Sequence, residues 1–273
     1  MLRTLEDFKQ CAIAASDGDI GHVKDLYFDD HAWVIRYLIV DTGTWLSGRE
    51  VLISPISIKK PDWAAHRIPA AITRDQVENS PSIDSDKPVS RQHELQYLGY
   101  YGYPNYWGGP GMWGEGMFPL AMYPGYIDPP GGRAEREAWL EEYQQAERAR
   151  HRADDPNLRS CEAVSGYHLE ANDGEVGHVE GFLVDDETWA IRYIVVNTSN
   201  WWLGHKVLIA PTWIKDVRWS DRTVSVDLSR TVVQASPVYD PEAMLDRQRE
   251  TGLYAHYRRA PYWKAGAAIV HQS

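Results

Sequence analysis

The chain has 273 residues, 43% of them hydrophobic, and a formal net charge of −11 at pH 7; this is enough for two domains with packed cores and excludes a disordered polypeptide. The acidic balance argues against a nucleic-acid partner, because nonspecific affinity for phosphates comes from Lys and Arg displacing counterions. No run approaches the roughly 18 uninterrupted apolar residues of a membrane span, and the start, MLRTLEDFKQCAIAASDGD, lacks a basic flank followed by an apolar core, so a soluble, unprocessed, cytoplasmic chain is expected.

In chain order, the first clear signal is DGDIGHVKDLYFDD. Asp17, Gly18 and Gly21 are the residues of a tight turn or bulge that needs positive φ. HVKDLYFDD has strand length and ends in Asp29-Asp30, and WVIRYLIVDT is a β-branched and aromatic run, so the two predict a hairpin. Simple alternation places Val34, Arg36, Leu38 and Val40 on one face of the second strand and Ile35, Tyr37 and Ile39 on the other. Apolar residues on both faces predict a strand covered on both sides or closed into a barrel. REVLISPISI predicts a further strand broken at Pro55, and RIPAAIT another. TRDQVENSP holds Thr73 and Gln76 at capping-box spacing, a short helical turn stopped by Pro81.

Residues 98–132 are dense in Gly, Pro, Tyr and Trp, a composition that argues against long helices and ladders. Residues 133–155 are rich in helix formers. Arg133 with Glu137 and Glu147 with Arg150 lie at helical pair spacing, and Trp139, Leu140 and Tyr143 form one narrow apolar side, which predicts an exposed connecting helix. The opening pattern then returns: a constant shift places Leu2 on Leu158, IRYLIV on IRYIVV, VLISP on VLIAP, Arg91-Gln92 on Arg247-Gln248 and Tyr106 on Tyr262. Asp173, Gly174 and Gly177 repeat the turn residues, and Asp240-Pro241 predicts the start of a second short helix. The period is far longer than that of a solenoid, so a tandem pair of domains is expected.

The ordered set of Asp-Gly, Gly-His-Val, Asp-Asp, Ile-Arg-Tyr and Val-Leu-Ile, occurring twice in register, resembles the PRC-barrel family, named after the cytoplasmic barrel of the photosynthetic reaction-centre H subunit. The resemblance implies a strongly bent antiparallel sheet in each half and a binding or scaffolding role without a shared catalytic apparatus. The H subunit's N-terminal membrane helix has no counterpart in this sequence. The expected fold is therefore mainly β: two tandem small antiparallel β-barrels over residues 1–97 and 156–263, joined by the aromatic segment 98–132 and the helix 133–155, with a tail over 264–273.

Asp29-Asp30 and Asp185-Asp186 read as hairpin turns, since adjacent strand carboxylates point to opposite faces. His22 and His178 are equivalent but have no recurring ligand partner, and Cys11 and Cys161 neither align in the repeat nor sit at zinc spacing, so no metal, cofactor or catalytic residue is expected. Arg36 and Arg192, in a strand, read as reaching the rim or pairing with a carboxylate such as the Asp-Asp turn. The locally basic end, with Arg247, Arg249, Arg258, Arg259 and Lys264, reads as a solvated face.

The chain has 12 Trp and 16 Tyr against 4 Phe, rings with an apolar body and a polar tip that suit contacts. Tyr100, Tyr101, Tyr103, Tyr106, Trp107 and Trp113 are the candidate interface, the alternative being that they pack over their own barrels. The expectation is a non-enzymatic scaffold that binds proteins, itself included; a small-ligand or saccharide-binding protein using Trp and Tyr platforms is the competing expectation.

Overall fold

The computed structural model describes residues 1–81, 91–107, 112–113, 158–198 and 205–265. The connecting helix expected over 133–155, most of the aromatic segment beyond Trp113 and nearly all of the tail lie outside the described residues. Two compact units are present, one of Met1, Arg3–Ala163 and Val184–Ile191, the other of Leu2, Val164–Leu183 and Arg192–Ser273. The first unit thus takes in two segments that belong to the second sequence repeat. The chain is mainly β, with two sheets and short helices. Among the described residues no helix is long and apolar enough to cross a membrane.

The first repeat supplies β1 (Leu2–Thr4), β2 (Ala12–Ala15), β3 (Gly18–Asp29), β4 (Val34–Asp41), β5 (Glu50–Ile53) and β6 (Arg67–Pro69). The sheet of the first unit runs β5-β4-β3-β2-β6, and β7 (Leu158–Ser160) adds to β3. The β3–β4 hairpin, the strand broken at Pro55 and the capping box of Thr73 with Gln76 are all present. β4 is buried along seven of its eight residues, as its two apolar faces require. One feature departs from an all-antiparallel sheet: β2 and β6 run parallel, because some 50 residues separate them and the chain returns by a crossover rather than a hairpin. The alternation expected along β4 also fails at one point. Between Tyr27↔Tyr37 and Phe28↔Ile35 the register slips, so Arg36 is the extra residue of a β-bulge, which re-aims its side chain.

The second sheet has β8 (His168–Ala171), β9 (Gly174–Asp185), β10 (Ile191–Asn197), β11 (Lys206–Ile209), β12 (Ile214–Arg218) and β13 (Thr223–Val226) in the order β11-β10-β9-β8-β13-β12. Here β8 and β13 are the parallel pair. β12 has no full counterpart in the first unit, where Ile58 and Asp62 make only isolated bridges. Pro61 stands there in place of Val217 and has no N–H for a ladder. Among the described residues neither ladder closes on itself into the barrel expected. The edge of β11 is instead met by the Tyr239 N–H, which donates to the Lys206 carbonyl at 2.7 Å.

Two helix expectations are corrected. Asp240-Pro241 opens only a turn, in which the Asp240 carboxylate accepts from Glu242 N–H at 3.0 Å; the helix is Arg247–Tyr257, capped by Asp246, which accepts from Arg249 N–H at 2.8 Å. And the helix Arg91–Tyr101 runs into the aromatic segment as far as Tyr101, since the side chains of Tyr97 and Leu98 are buried against the sheet and packing overrides the Gly99 propensity.

Candidate functional site

Gly18 and Gly174 have φ of +149° and +130°, the positive-φ role expected of them. Asp17 and Asp173 do more than turn the chain, each accepting a hydrogen bond from the first N–H of a short helix, Arg74 at 2.8 Å and Arg230 at 2.7 Å. Gly21 and Gly177 have a different reason from the one expected. Neither needs positive φ; a Cβ on either would lie 2.0 Å from the Asp41 carbonyl oxygen or 2.1 Å from that of Asn197, so only glycine lets the strands approach.

The aromatic segment is used unevenly. Tyr106 and Trp113 are buried, at 4% and 0% exposure, and both face the bulged Arg36. The guanidinium carbon lies 3.8 Å from the Tyr106 ring centroid and 4.8 Å from that of Trp113, a cation held between two π faces. Arg36 also donates to the Met112 carbonyl at 2.7 Å and pairs with Asp29 at 3.4 Å, the carboxylate partner expected for it. Trp113 completes the cage by donating its Nε1–H to the Thr188 carbonyl at 3.0 Å. Asp30 is matched in the same turn by Arg159 at 2.9 Å, and the Asp29 Oδ1 accepts from the N–H groups of His31 and Ala32. Asp29, Asp30 and the exposed His31 offer three ligand-type atoms within 4.8 Å, but these arginines and turn amides already hold the carboxylates as a hairpin end.

Sequence reasoning missed the centre of this arrangement, Glu94. Its side chain is fully buried and accepts from Tyr37 Oη–H at 3.3 Å and from Tyr106 Oη–H. The repeat carries the same group: Glu250, 4% exposed, accepts from Tyr193 at 2.8 Å and Tyr262 at 3.1 Å and pairs with Arg247 at 3.0 Å, while Arg192 lies 4.1 Å over the Tyr262 ring. The signal was available, since the shift that aligns IRY with IRY also aligns Glu94 with Glu250 and both pairs of tyrosines. Burial pushes the Tyr193 and Tyr262 hydroxyls upward, with Glu250 adding to the effect. They stay protonated donors, the opposite of what a catalytic base or nucleophile requires.

Tyr97 and its neighbours form a second cluster. The Tyr97 ring is edge-on to Tyr37 at 5.1 Å, and its hydroxyl donates to the Leu52 carbonyl at 3.0 Å and accepts from Ser54 N–H at 3.1 Å. Desolvation raises this hydroxyl well above the usual tyrosine range and takes Tyr101 to about 12. Tyr101, Tyr103 and Trp107 pack half-buried against this cluster. Tyr100 is 42% exposed; its hydroxyl donates to the Gln76 carbonyl at 2.9 Å and its ring meets that of Tyr101 edge-on at 4.9 Å.

The remaining candidates are dispersed. His22 is exposed on β3 opposite Asp41, and His178 faces His168 across the β8–β9 ladder. Cys11 and Cys161 are buried, and burial raises both thiols, away from the thiolate a nucleophile needs. The second unit contains a cavity of about 430 Å³ walled by Leu208, Val238, Leu245, Gly252 and Leu253, with Arg249 on its lining. The exposed side chains of Val238 and Met244, at 61% and 68%, lie on the same stretch of chain.

Residues 3–66 match the PRC-barrel domain family, a span that begins in β1 and ends just before β6. No curated protein matches the chain.

Proposed function

We propose that this chain is a non-enzymatic cytoplasmic scaffold that binds proteins, copies of itself included, and that its second repeat is a PRC-barrel-type domain like the first, in a tandem arrangement. The observation that carries the reading is the recurring buried carboxylate. In each unit one glutamate, two tyrosine hydroxyls and a ring-stacked arginine are spent on tying a helix and the following segment to the sheet. Residues of the kind that perform acid–base chemistry therefore face inward and are satisfied structurally.

A binding role draws support from the other half of the aromatic segment. With Tyr106 and Trp113 buried in the first unit, Tyr100 and the half-buried Tyr101, Tyr103 and Trp107 are left as the ring surface. Rigid rings of this kind bind at low entropic cost and are enriched at interfaces. Sedimentation velocity across micromolar concentrations tests the self-association: a species heavier than 31.2 kDa that grows with concentration is expected, and a single 31.2 kDa species throughout would contradict it.

A further inference from the structure

The two units pair their edge strands in the same register: Ile39↔Leu52 in one, Val195↔Leu208 in the other. The carbonyl of Leu208 is therefore aimed as that of Leu52 is. In the first unit a tyrosine occupies the space beyond this carbonyl. Tyr97, 2% exposed, lays its ring beside the strand and its hydroxyl donates to the Leu52 carbonyl at 3.0 Å. In the second unit the corresponding position is Leu253, which has no hydroxyl to offer, and the residue before it is Gly252 where the first unit has Gln96. A Cβ at Gly252 would meet nothing within 4 Å. Leu208, Gly252 and Leu253 all line the cavity of about 430 Å³.

We propose that this cavity is a binding site for a small phenolic compound. The aromatic ring of the ligand lies on Leu208 and Leu253 as the Tyr97 ring lies in the first unit, and its hydroxyl donates to the Leu208 carbonyl. Mostly apolar walls with a few placed polar groups are what such a site requires; here the Leu208 carbonyl is joined on the lining by Asp240 and Arg249, and the volume falls in the range of small-ligand pockets, roughly 300 to 1,000 Å³. The site goes beyond the scaffold reading and is distinct from the Trp and Tyr platforms of the aromatic segment, because its walls are mostly aliphatic, with Tyr239 contributing one ring, and it lies on the second unit's own edge strand.

The experiment is calorimetric titration of the full chain with 4-methylphenol and, separately, toluene. The site predicts saturable binding of 4-methylphenol in the micromolar to millimolar range and at least about tenfold weaker binding of toluene, the loss expected when a recognised hydroxyl is removed. Leu253→Tyr, which restores the arrangement of the first unit, should abolish binding. Gly252→Leu places a side chain in the cavity while improving helix propensity, so it tests the site even if Leu253→Tyr fails to fold, and it too should abolish binding. No heat with 4-methylphenol at millimolar concentration, equal affinity for toluene, or unchanged binding in a folded Gly252→Leu protein would each overturn the proposal.

Discussion

At the scale of single residues, the clearest constraint is steric. Replacing Gly21 by alanine drives a methyl group into the Asp41 carbonyl, and because that oxygen is main chain in a strand paired on both sides it cannot move aside without shifting the ladder. Gly21→Ala is expected to cost about 2–3 kcal/mol in urea denaturation, in the range of overpacked cores. Arg36→Ala should cost about 3 kcal/mol or more, since it leaves the buried Asp29 carboxylate without its cation and empties the space between Tyr106 and Trp113. Arg192 is only partly buried, so the same change there should cost less; equal losses would show that the cage adds nothing.

Asp25 gives a pH-dependent prediction. It accepts from Leu26 N–H at 2.7 Å, from Glu162 N–H at 3.1 Å and from Ser160 Oγ–H, yet desolvation outweighs these bonds and raises its carboxyl above the usual range. A carboxyl raised in the folded state binds its proton more tightly there than in the unfolded chain. Stability therefore falls as pH rises from the unfolded value near 4 through the raised one, and stays lowered above it. Asn in its place keeps the acceptor for the two amides and can donate to Ser160. Asp25→Asn should be as stable as the wild type or more so at pH 7, with the difference shrinking toward pH 4, whereas Asp25→Ala should lose about 1–3 kcal/mol by stranding those donors. Denaturation midpoints between pH 4 and 7 check both signs.

At the scale of elements, most of the framework was legible. The hairpin of β3 and β4, the strand broken at Pro55 and the capped turn at Thr73 follow from alternation, Pro placement and capping spacing, which are local signals. The failures have local causes too. The bulge at Arg36 adds one residue to a strand whose sequence alternates cleanly, so its true direction depends on the partner strand. Asp240-Pro241 and Asp246 are both good helix starts, and the second prevails because the buried Glu250, Leu253, Tyr254 and Tyr257 follow at helical spacing from it. Leu2-Arg3-Thr4 and Leu158-Arg159-Ser160 read alike, so the pairing of β7 with β3 could not be inferred from either. The candidate interface was visible as a composition, but which rings are buried depends on Glu94 and Arg36, charged residues on which no aromatic count bears. Tyr106→Phe removes one of the two hydroxyls from Glu94 and should lower stability by about 1–2 kcal/mol; Tyr100→Phe, on the surface, should change it by less than about 0.5 kcal/mol.

At the scale of the whole molecule, the proposed role rests on a division of the aromatic residues: one set locks each unit, the other is left to meet partners. Net charge sets a condition on the second part. With a net charge of −11, copies of the chain repel one another, and an association carried by rings must overcome that repulsion. Raising ionic strength to about 0.5 M screens it, so self-association should hold or strengthen with salt, and an assembly that dissolves under those conditions would point to ion pairs instead. The most direct test is the molar mass of Tyr100→Glu by light scattering, at a concentration where the wild type is assembled and with melting unchanged. A charge placed among the exposed rings should return the protein to 31.2 kDa; an assembled mass equal to that of the wild type would contradict the role given to the aromatic segment.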